Sequence, residues 1–539
     1  MKGKLIAISS IVVTALLLNY LILIPINVRY LGSVVLFMLI VIPIYWILFP
    51  KKCITYKYEK INTEIGKKQL IKVPIFTKKV WLVLVVFIGI ISIYGIGSST
   101  IFFSKGYKNQ IGVVEERPLD SNFMFDNISE LPVIDNKVAT ILGDKKIGED
   151  RGLGSEFRVG IFSDIIYQEK PYSVAPLEFN DFFKWVGNKS TPGYVLVDKK
   201  TGDTKLVRDI NGKKIGMKYM PSAYFGNDLK RHAYFNGNMD NALGTYHFEI
   251  DESGNPYWVI PKVRKEVGIA GGDDVYSVVL VNAQTGKVDE YKVSEVPDWV
   301  DEIYPKDMVL HQLDNWGLFV NGFVNTMFSE KEIIRITNGS RHVYHDGDMY
   351  HYTGLTSAGK DESTVGFAFI NARTKKTVFY TITGATEAAA MASAEGKVQN
   401  LRYTSSFPIP VNIDGLASFF MTLKDANGLI KQYAFVNIND YGKVGIGEDI
   451  ESARSSYLKL MNKDDVTSET VSYTGIIKRI GSNNNNFYMM TEGNDMLFYS
   501  DNEQVNKILS ISKIGDDIVI EVLNDSIKKV NNKTLGKES

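Results

Sequence analysis

Val195-Leu-Val-Asp198-Lys-Lys-Thr201-Gly202 spells a β-hairpin corner: an apolar β-branched run, an Asp, two variable residues, a hydroxyl and a glycine. The Asp side chain can bond the backbone two residues on, and Gly takes the positive φ that the turn demands. The phrase returns with drift as Val279-Leu-Val281-Asn282-Ala-Gln-Thr285-Gly286, as Ala368-Phe-Ile370-Asn371-Ala-Arg-Thr374-Lys375, and as Ala434-Phe-Val436-Asn437-Ile-Asn-Asp440-Tyr441 with Gly442 displaced by a residue. Asp198, Asn282, Asn371 and Asn437 stand 84, 89 and 66 residues apart. Those intervals exceed a solenoid period, so separate small modules are expected.

Helical patterns flank the hairpins. Leu177 to Val186 carries Phe179, Phe182, Phe183 and Val186 at helical spacing, and Ser222 can cap a helix through Ala233. Pro297 to Trp316 is interrupted at Pro305, Ala385 to Val398 is alanine-rich, and Glu448 to Met461 sets Ile450, Ala453, Tyr457 and Leu460 on one face. The fold class is therefore α+β, with tandem small modules of a helix plus an antiparallel sheet. Over Tyr194 to Val207 and Val278 to Val288 the phrase resembles the hairpin of PepSY-like modules, which are extracytoplasmic units of a helix on a short antiparallel sheet. The resemblance implies inhibitory or regulatory binding units, found beside secreted enzymes or in membrane sensors, and it brings no catalytic residues.

Ahead of the modules lie three apolar stretches, about 5–28, 31–49 and 80–103, each near the roughly 20 residues that a membrane-crossing helix needs. Their cores hold no Asp, Glu, Lys or Arg, so a transporter or channel is disfavoured and the helices read as anchors. The loop 51–79 carries Lys51, Lys52, Lys57, Lys60, Lys67, Lys68, Lys72, Lys78 and Lys79 against only Glu59 and Glu64. Short lysine-rich loops stay cytoplasmic, which sends everything after Phe103 outside. The expected protein is a multi-pass cell-membrane protein with an extracytoplasmic C-terminal body. Its only cysteine, Cys53, lies in the basic loop, so no disulfide can staple the body, a pattern that suits a bacterial cell envelope.

After the anchor (1–103) and a juxtamembrane connector (104–130), the expected divisions are a first α+β module at 131–265 and a second at 266–330. Third and fourth hairpin-helix units follow at 331–465. The segment 466–527 changes character. Strand patterns at Val471 to Ile480, Phe487 to Thr491, Met496 to Tyr499 and Asp517 to Val522, with Gly475 placed to bend the first, resemble a small β-barrel of the OB or SH3 kind. Residues 528–539 are expected to fray.

Candidate chemistry is sparse. Arg341-His-Val-Tyr-His345-Asp-Gly-Asp-Met-Tyr-His351-Tyr reads as a hairpin turning at Asp346-Gly347, which sets His342 opposite His351 and His345 opposite Asp348. Two imidazoles fall short of the three or four ligands of a zinc site, so no metal is expected, with His342 and His351 the nearest approach to one. No catalytic residues and no cofactor are expected: the chain holds no His-Glu-x-x-His, no Gly-x-Ser-x-Gly and no phosphate-binding Gly-x-x-x-x-Gly-Lys. Gly268-Ile-Ala-Gly271-Gly272-Asp273-Asp274 is followed by a strand pattern rather than a helix, and reads as a turn. Trp299, Trp316, Phe319 and Phe323 mark the densest aromatic stretch, either core or a partner surface.

Lys plus Arg and Asp plus Glu number 61 each, so no global field attracts nucleic acid. The expected partners are the lipid bilayer and another envelope protein, and the expected role is non-catalytic binding or scaffolding. An envelope-active hydrolase or a membrane sensor is the alternative.

Overall fold

The hairpin corner occurs four times in the computed structural model, which describes residues 2–49, 54–62, 68–76, 78–119, 131–150, 152–358, 363–461, 471–483, 486–500, 502–523 and 526–538. Two helices, α1 (Lys2–Ile22) and α2 (Leu31–Leu48), are long and apolar enough to cross a membrane. The loop after them holds an antiparallel ribbon, β1 (Ile54–Asn62) with β2 (Lys68–Phe76), where only a loop was expected. Cys53 and the connector 120–130 lie outside the described residues.

The third expected span is not one straight helix. It consists of α3 (Lys78–Gly97) and α4 (Thr100–Lys108), bent by 41° at a break. The Ser99 side chain caps α4 by accepting from the Ile101 amide. The break has a physical reason: Lys105 and Lys108 give α4 a polar side, and it docks on the body, with Lys108 Nζ donating to Val320 O at 2.9 Å. The next strand, β3 (Val114–Pro118), leaves the connector altogether and pairs parallel to an edge strand of the third module.

Each module runs helix, then five strands. The first comprises α5 (Asn136–Gly148), β4 (Phe157–Val159), β5 (Ser163–Tyr167), β6 (Lys170–Phe179), an inserted α6 (Phe182–Asn188), β7 (Tyr194–Asp198) and β8 (Thr204–Val207). The second has α7 (Leu229–Phe235), β9 (Ala242–Leu243), β10 (His247–Ile250), β11 (Pro256–Val267), β12 (Gly271–Asn282) and β13 (Val288–Lys292). The third has α8 (Lys306–Leu318), a short α9 (Phe323–Phe328), β14 (Ile334–Ile336), β15 (Arg341–His345), β16 (Asp348–Ser357), β17 (Thr364–Asn371) and β18 (Thr377–Gly384). The fourth has α10 (Glu387–Lys397), β19 (Thr404–Ser405), β20 (Ile409–Ile413), β21 (Leu416–Lys424), β22 (Ile430–Asn437) and β23 (Val444–Gly447), after which comes α11 (Ile450–Leu460).

Within every module the first two strands lie end to end along the third, and the third, fourth and fifth form a meander. The fourth strand ends on the corner residue. Asp198 Oδ1 accepts from the amides of Lys200 and Thr201 at 2.8 and 2.9 Å. Asn282, Asn371 and Asn437 make the same pair of bonds to the amides two and three residues on. Gly202 and Gly286 stand at φ 78° and 76°, and Lys375 adopts φ 61° at the third corner although it carries a side chain. Its ammonium compensates by bonding Asp274 Oδ2 at 2.6 Å and Gln110 O at 2.9 Å.

This order moves the expected divisions. The 265/266 boundary falls inside β11, which pairs with β12 along most of its length. The 330/331 boundary separates α8 from the sheet it covers, for Val309, Leu310 and Leu313 pack with Leu355, Ala368, Ile370 and Phe379. Leu177 and Phe179 belong to β6, and the helix there begins only at Phe182 and runs to Asn188; α7 is capped by Asp228, while Ser222 Oγ accepts from Phe179 N. The first two modules share one core containing Val174, Val195, Phe248, Trp258 and Val279.

Residues 458–539 form a second compact unit. It is a closed five-stranded barrel, β24 (Val471–Asn483), β25 (Asn486–Thr491), β26 (Asn494–Ser500), β27 (Asp517–Leu523) and β28 (Ser526–Asn532), with α12 (Glu503–Leu509) between the third and fourth strands and a short β29 (Lys537–Glu538). Residues 528–532, expected to fray, instead continue the closing strand that Ser526 and Ile527 begin: Ser526 bridges Tyr499, and Val530 enters the core with Ile527.

Candidate functional site

Three modules contribute to one buried polar cluster. β15 and β16 pair in the register read from the turn, Asp346-Gly347, so that His342 faces His351 with ring centroids 4.9 Å apart. Behind His342 stands Asp164 from β5, whose Oδ2 meets His342 Nδ1 at 2.9 Å. Its Oδ1 accepts from Lys199 Nζ at 2.6 Å and from Ser173 Oγ at 2.8 Å. Burial by itself would raise this carboxyl, but the charge of Lys199 and the hydrogen bond from His342 outweigh it and hold Asp164 far below the usual carboxylate range.

His351 is fully excluded from solvent and its Nε2 bonds Tyr304 O at 2.9 Å. A carbonyl oxygen only accepts, so Nε2 carries the proton. Burial and the neighbouring His342 push the His351 imidazole down to about 4, so the ring is neutral at ordinary pH. The segment linking the second and third modules brings Glu302 alongside, its Oε1 3.9 Å from His351 Nε2.

A carboxylate from β10 anchors that segment. Glu249, wholly buried, accepts from the amides of Asp301 and Glu302 at 3.0 and 3.2 Å and meets His247 Nε2 at 2.8 Å. Burial opposes a charged His247, yet the Glu249 contact prevails and raises its affinity for a proton. Burial and the Glu249 charge raise Asp301 well above the usual range, while its Oδ2 accepts from Ile166 N at 2.6 Å.

Among the described residues, Glu302, His342 and His351 bring one potential ligand atom each within 4.8 Å of the others. The turn chemistry of Asp346-Gly347 places the two histidines, and sequence alone had named that pair. Glu302, Asp164 and Glu249 were missed, because their approach depends on how the first and second modules pack on the third, which no local pattern encodes.

The aromatic stretch turns largely inward. Trp299 packs on Tyr257 with centroids 5.0 Å apart, Trp316 meets Phe379 edge-on at 5.9 Å, and Phe319 is buried. The exposed apolar groups beside Phe323 are Val324, Met327 and Phe328 on α9. A second exposed group was not foreseen: Phe182, Phe183 and Trp185 of α6 cluster with Tyr224 and Phe225, and Phe183 is 80% exposed.

The membrane hairpin is bonded to the second module. Tyr234 Oη donates to Ile24 O at 2.6 Å, Arg29 Nη1 donates to Lys265 O at 2.5 Å, and Ile269 N donates to Gly97 O at 2.8 Å. Residues 268–270 are thus the tip of the β11–β12 hairpin, seated against the α3–α4 break, while Asp273 and Asp274, expected in a turn, pair with Lys265 and Arg264 in the strand. The α1–α2 turn, the end of α3 and the body therefore lie together at one end of the apolar helices. No family model matches the chain, and no curated protein is significantly similar to it.

Proposed function

We propose that this chain is a membrane-anchored binding or scaffolding protein of the bacterial cell envelope, with an extracytoplasmic body that acts without catalysis. The observation that carries the reading is the α6 aromatic cluster. This helix interrupts the third and fourth strands of the first module, has no counterpart among the described residues of the other three, and holds apolar rings in water where a partner can cover them. The hairpin phrase that resembles PepSY-like modules implies a regulatory or binding unit, and so supports the same reading.

The bilayer is the other partner. α3 supplies a third crossing, and the exposed Ile101 and Phe102 of the docked α4, with Val324, Met327 and Phe328 of α9, rest on the lipid surface. The lysine-rich loop faces the cytoplasm and the body faces out. In intact cells, a membrane-impermeant thiol reagent should label Ile161→Cys, a site 84% exposed, and spare Cys53. A photo-crosslinking residue at Phe183 should give one recurrent adduct that the same residue at Ile161 does not. Labelling of Cys53 alone inverts the topology; hydrolysis of peptidoglycan or peptides by the purified protein replaces scaffolding with catalysis.

A further inference from the structure

Two buried imidazole nitrogens in the cluster have no hydrogen-bond partner, His342 Nε2 and His351 Nδ1. The tautomers explain what they offer. Tyr304 O, an acceptor, fixes the proton of His351 on Nε2, and the Asp164 carboxylate fixes that of His342 on Nδ1. Each remaining nitrogen therefore presents a lone pair in a place closed to water. A buried acceptor without a donor is unfavourable, and two on directly paired residues of one sheet face call for an electrophile.

We infer that Glu302, His342 and His351 hold one divalent transition-metal ion, with zinc the best match to the donors. Two neutral imidazoles and a carboxylate are the ligand types that zinc takes at about 2.0–2.2 Å in a tetrahedron. One potential ligand atom from each of the three residues lies within 4.8 Å of the others, against about 3.3 Å between ligands of a tetrahedral ion, so binding draws the side chains inward. The outer partners are already in place. His342 donating to Asp164 is the carboxylate–histidine pair that orients metal ligands, and Asp164 is itself held by Lys199 and Ser173. Tyr304 O does the same for His351.

The position gives the ion a task. Glu302 belongs to the link between the second and third modules, His342 and His351 to the hairpin of the third, and Asp164 to the first. A metal there clamps three modules at one point. Burial of the cluster keeps substrate away from the ion, which gives it a structural role.

The test uses the full chain in detergent, freed of metal by chelation and carrying no histidine tag. Added cobalt(II) should give the visible absorption of a tetrahedral nitrogen–oxygen site, saturating at one equivalent, and zinc should abolish it stoichiometrically. His342→Ala and Glu302→Gln, at side chains only 12% exposed yet not at the centre of the core, should weaken zinc binding at least 100-fold. Asp164→Asn should weaken it about 10–100-fold. His345→Ala, at the end of the same hairpin, should leave it unchanged. Folded wild-type chain that gives no saturable cobalt spectrum and takes up no zinc overturns the inference, as does binding equal in wild type and His342→Ala. The cobalt titration needs no variant, so a misfolding substitution does not decide the result.

Discussion

Lys199 and Asp164 meet at 2.6 Å with only 3% and 4% of their side chains exposed, and Lys199 is the residue directly after the first hairpin corner. The equivalent residues after the other corners are Ala283, Ala372 and Ile438, each fully buried. Their backbones repeat too: the amides of Val133 and Ile134 donate to Lys199 O, those of Lys218 and Tyr219 to Ala283 O, and those of Ile303 and Tyr304 to Ala372 O. One slot of a repeated framework is apolar in three modules and cationic in the first. The exception faces the histidine cluster.

Removing one member of such a pair leaves a lone buried charge. Lys199→Ala, which gives the first module the residue of the second and third, should destabilise the body by about 3–5 kcal/mol. Adding Asp164→Asn should recover part of that loss, so the double variant should be more stable than the sum of the singles by over 1 kcal/mol. Urea denaturation of the four members of the cycle measures it; strict additivity would mean that the two residues do not act as a pair.

The glycine corners should differ although their angles match. Gly202 and Gly286 both have φ near 77°, at 78° and 76°. Alanine at a left-handed position costs about 1–2 kcal/mol on conformation alone. At Gly202 the added carbon meets Ile134 and Leu142 at ordinary contact, 3.4 and 3.5 Å, whereas at Gly286 it falls 2.3 Å from the Tyr219 ring. Tyr219 cannot easily yield, since its carbonyl holds Trp258 Nε1 at 2.9 Å. Thermal melts should therefore rank Gly286→Ala below Gly202→Ala, and equal losses would show that the tyrosine moves without cost.

How far the chain could be read follows from the range of the interaction in question. The corners at Asp198, Asn282 and Asn371 and the His342–His351 register are set by side chains within a few residues of the turn, and both stand in the sequence as written. Module order was less legible. The helix in front of each sheet pairs with strands up to about sixty residues later, and a helix between two hairpins carries no mark of which sheet it covers. The bend at Ser99 is hidden because α4 remains apolar enough to continue a span, and only its docking on the body distinguishes it. Glu302 was least legible, since its role depends on three modules meeting.

Glu387, at the start of α10, should make the body more stable in mild acid. Burial is the largest influence on its carboxyl and raises it above the usual range, the hydrogen bond from Tyr352 Oη at 3.0 Å opposing only in part. The folded state therefore binds this proton more tightly than the unfolded chain. Stability from the group is fully present below the unfolded value near 4.5 and is lost as pH rises through the folded value. Glu387→Gln should remove that component of the dependence and stabilise the protein at pH 7. Denaturation midpoints of wild type and variant between about pH 7 and pH 5 test it, and parallel curves would place the titration elsewhere.

Ending the chain before Lys528 should unfold the barrel and leave the modules intact. The deleted residues complete β28, which pairs with β27 from Ser526↔Leu523 to Asn532↔Ile518. They also include Val530, fully buried beside Ile520 and Phe498, while Ile527 would be left at a frayed end. Losing one large core side chain costs about 2–5 kcal/mol, and losing the backbone bonds of a closing strand exposes two sheet edges besides. A barrel this small has little stability to spare. Because 458–539 is compact by itself, limited proteolysis should release or degrade only that unit, while the 1–457 fragment keeps the mobility and melting temperature of its wild-type counterpart. A truncated chain whose barrel resists protease as well as wild type would return 528–539 to the frayed tail that its lysine and asparagine content resembles.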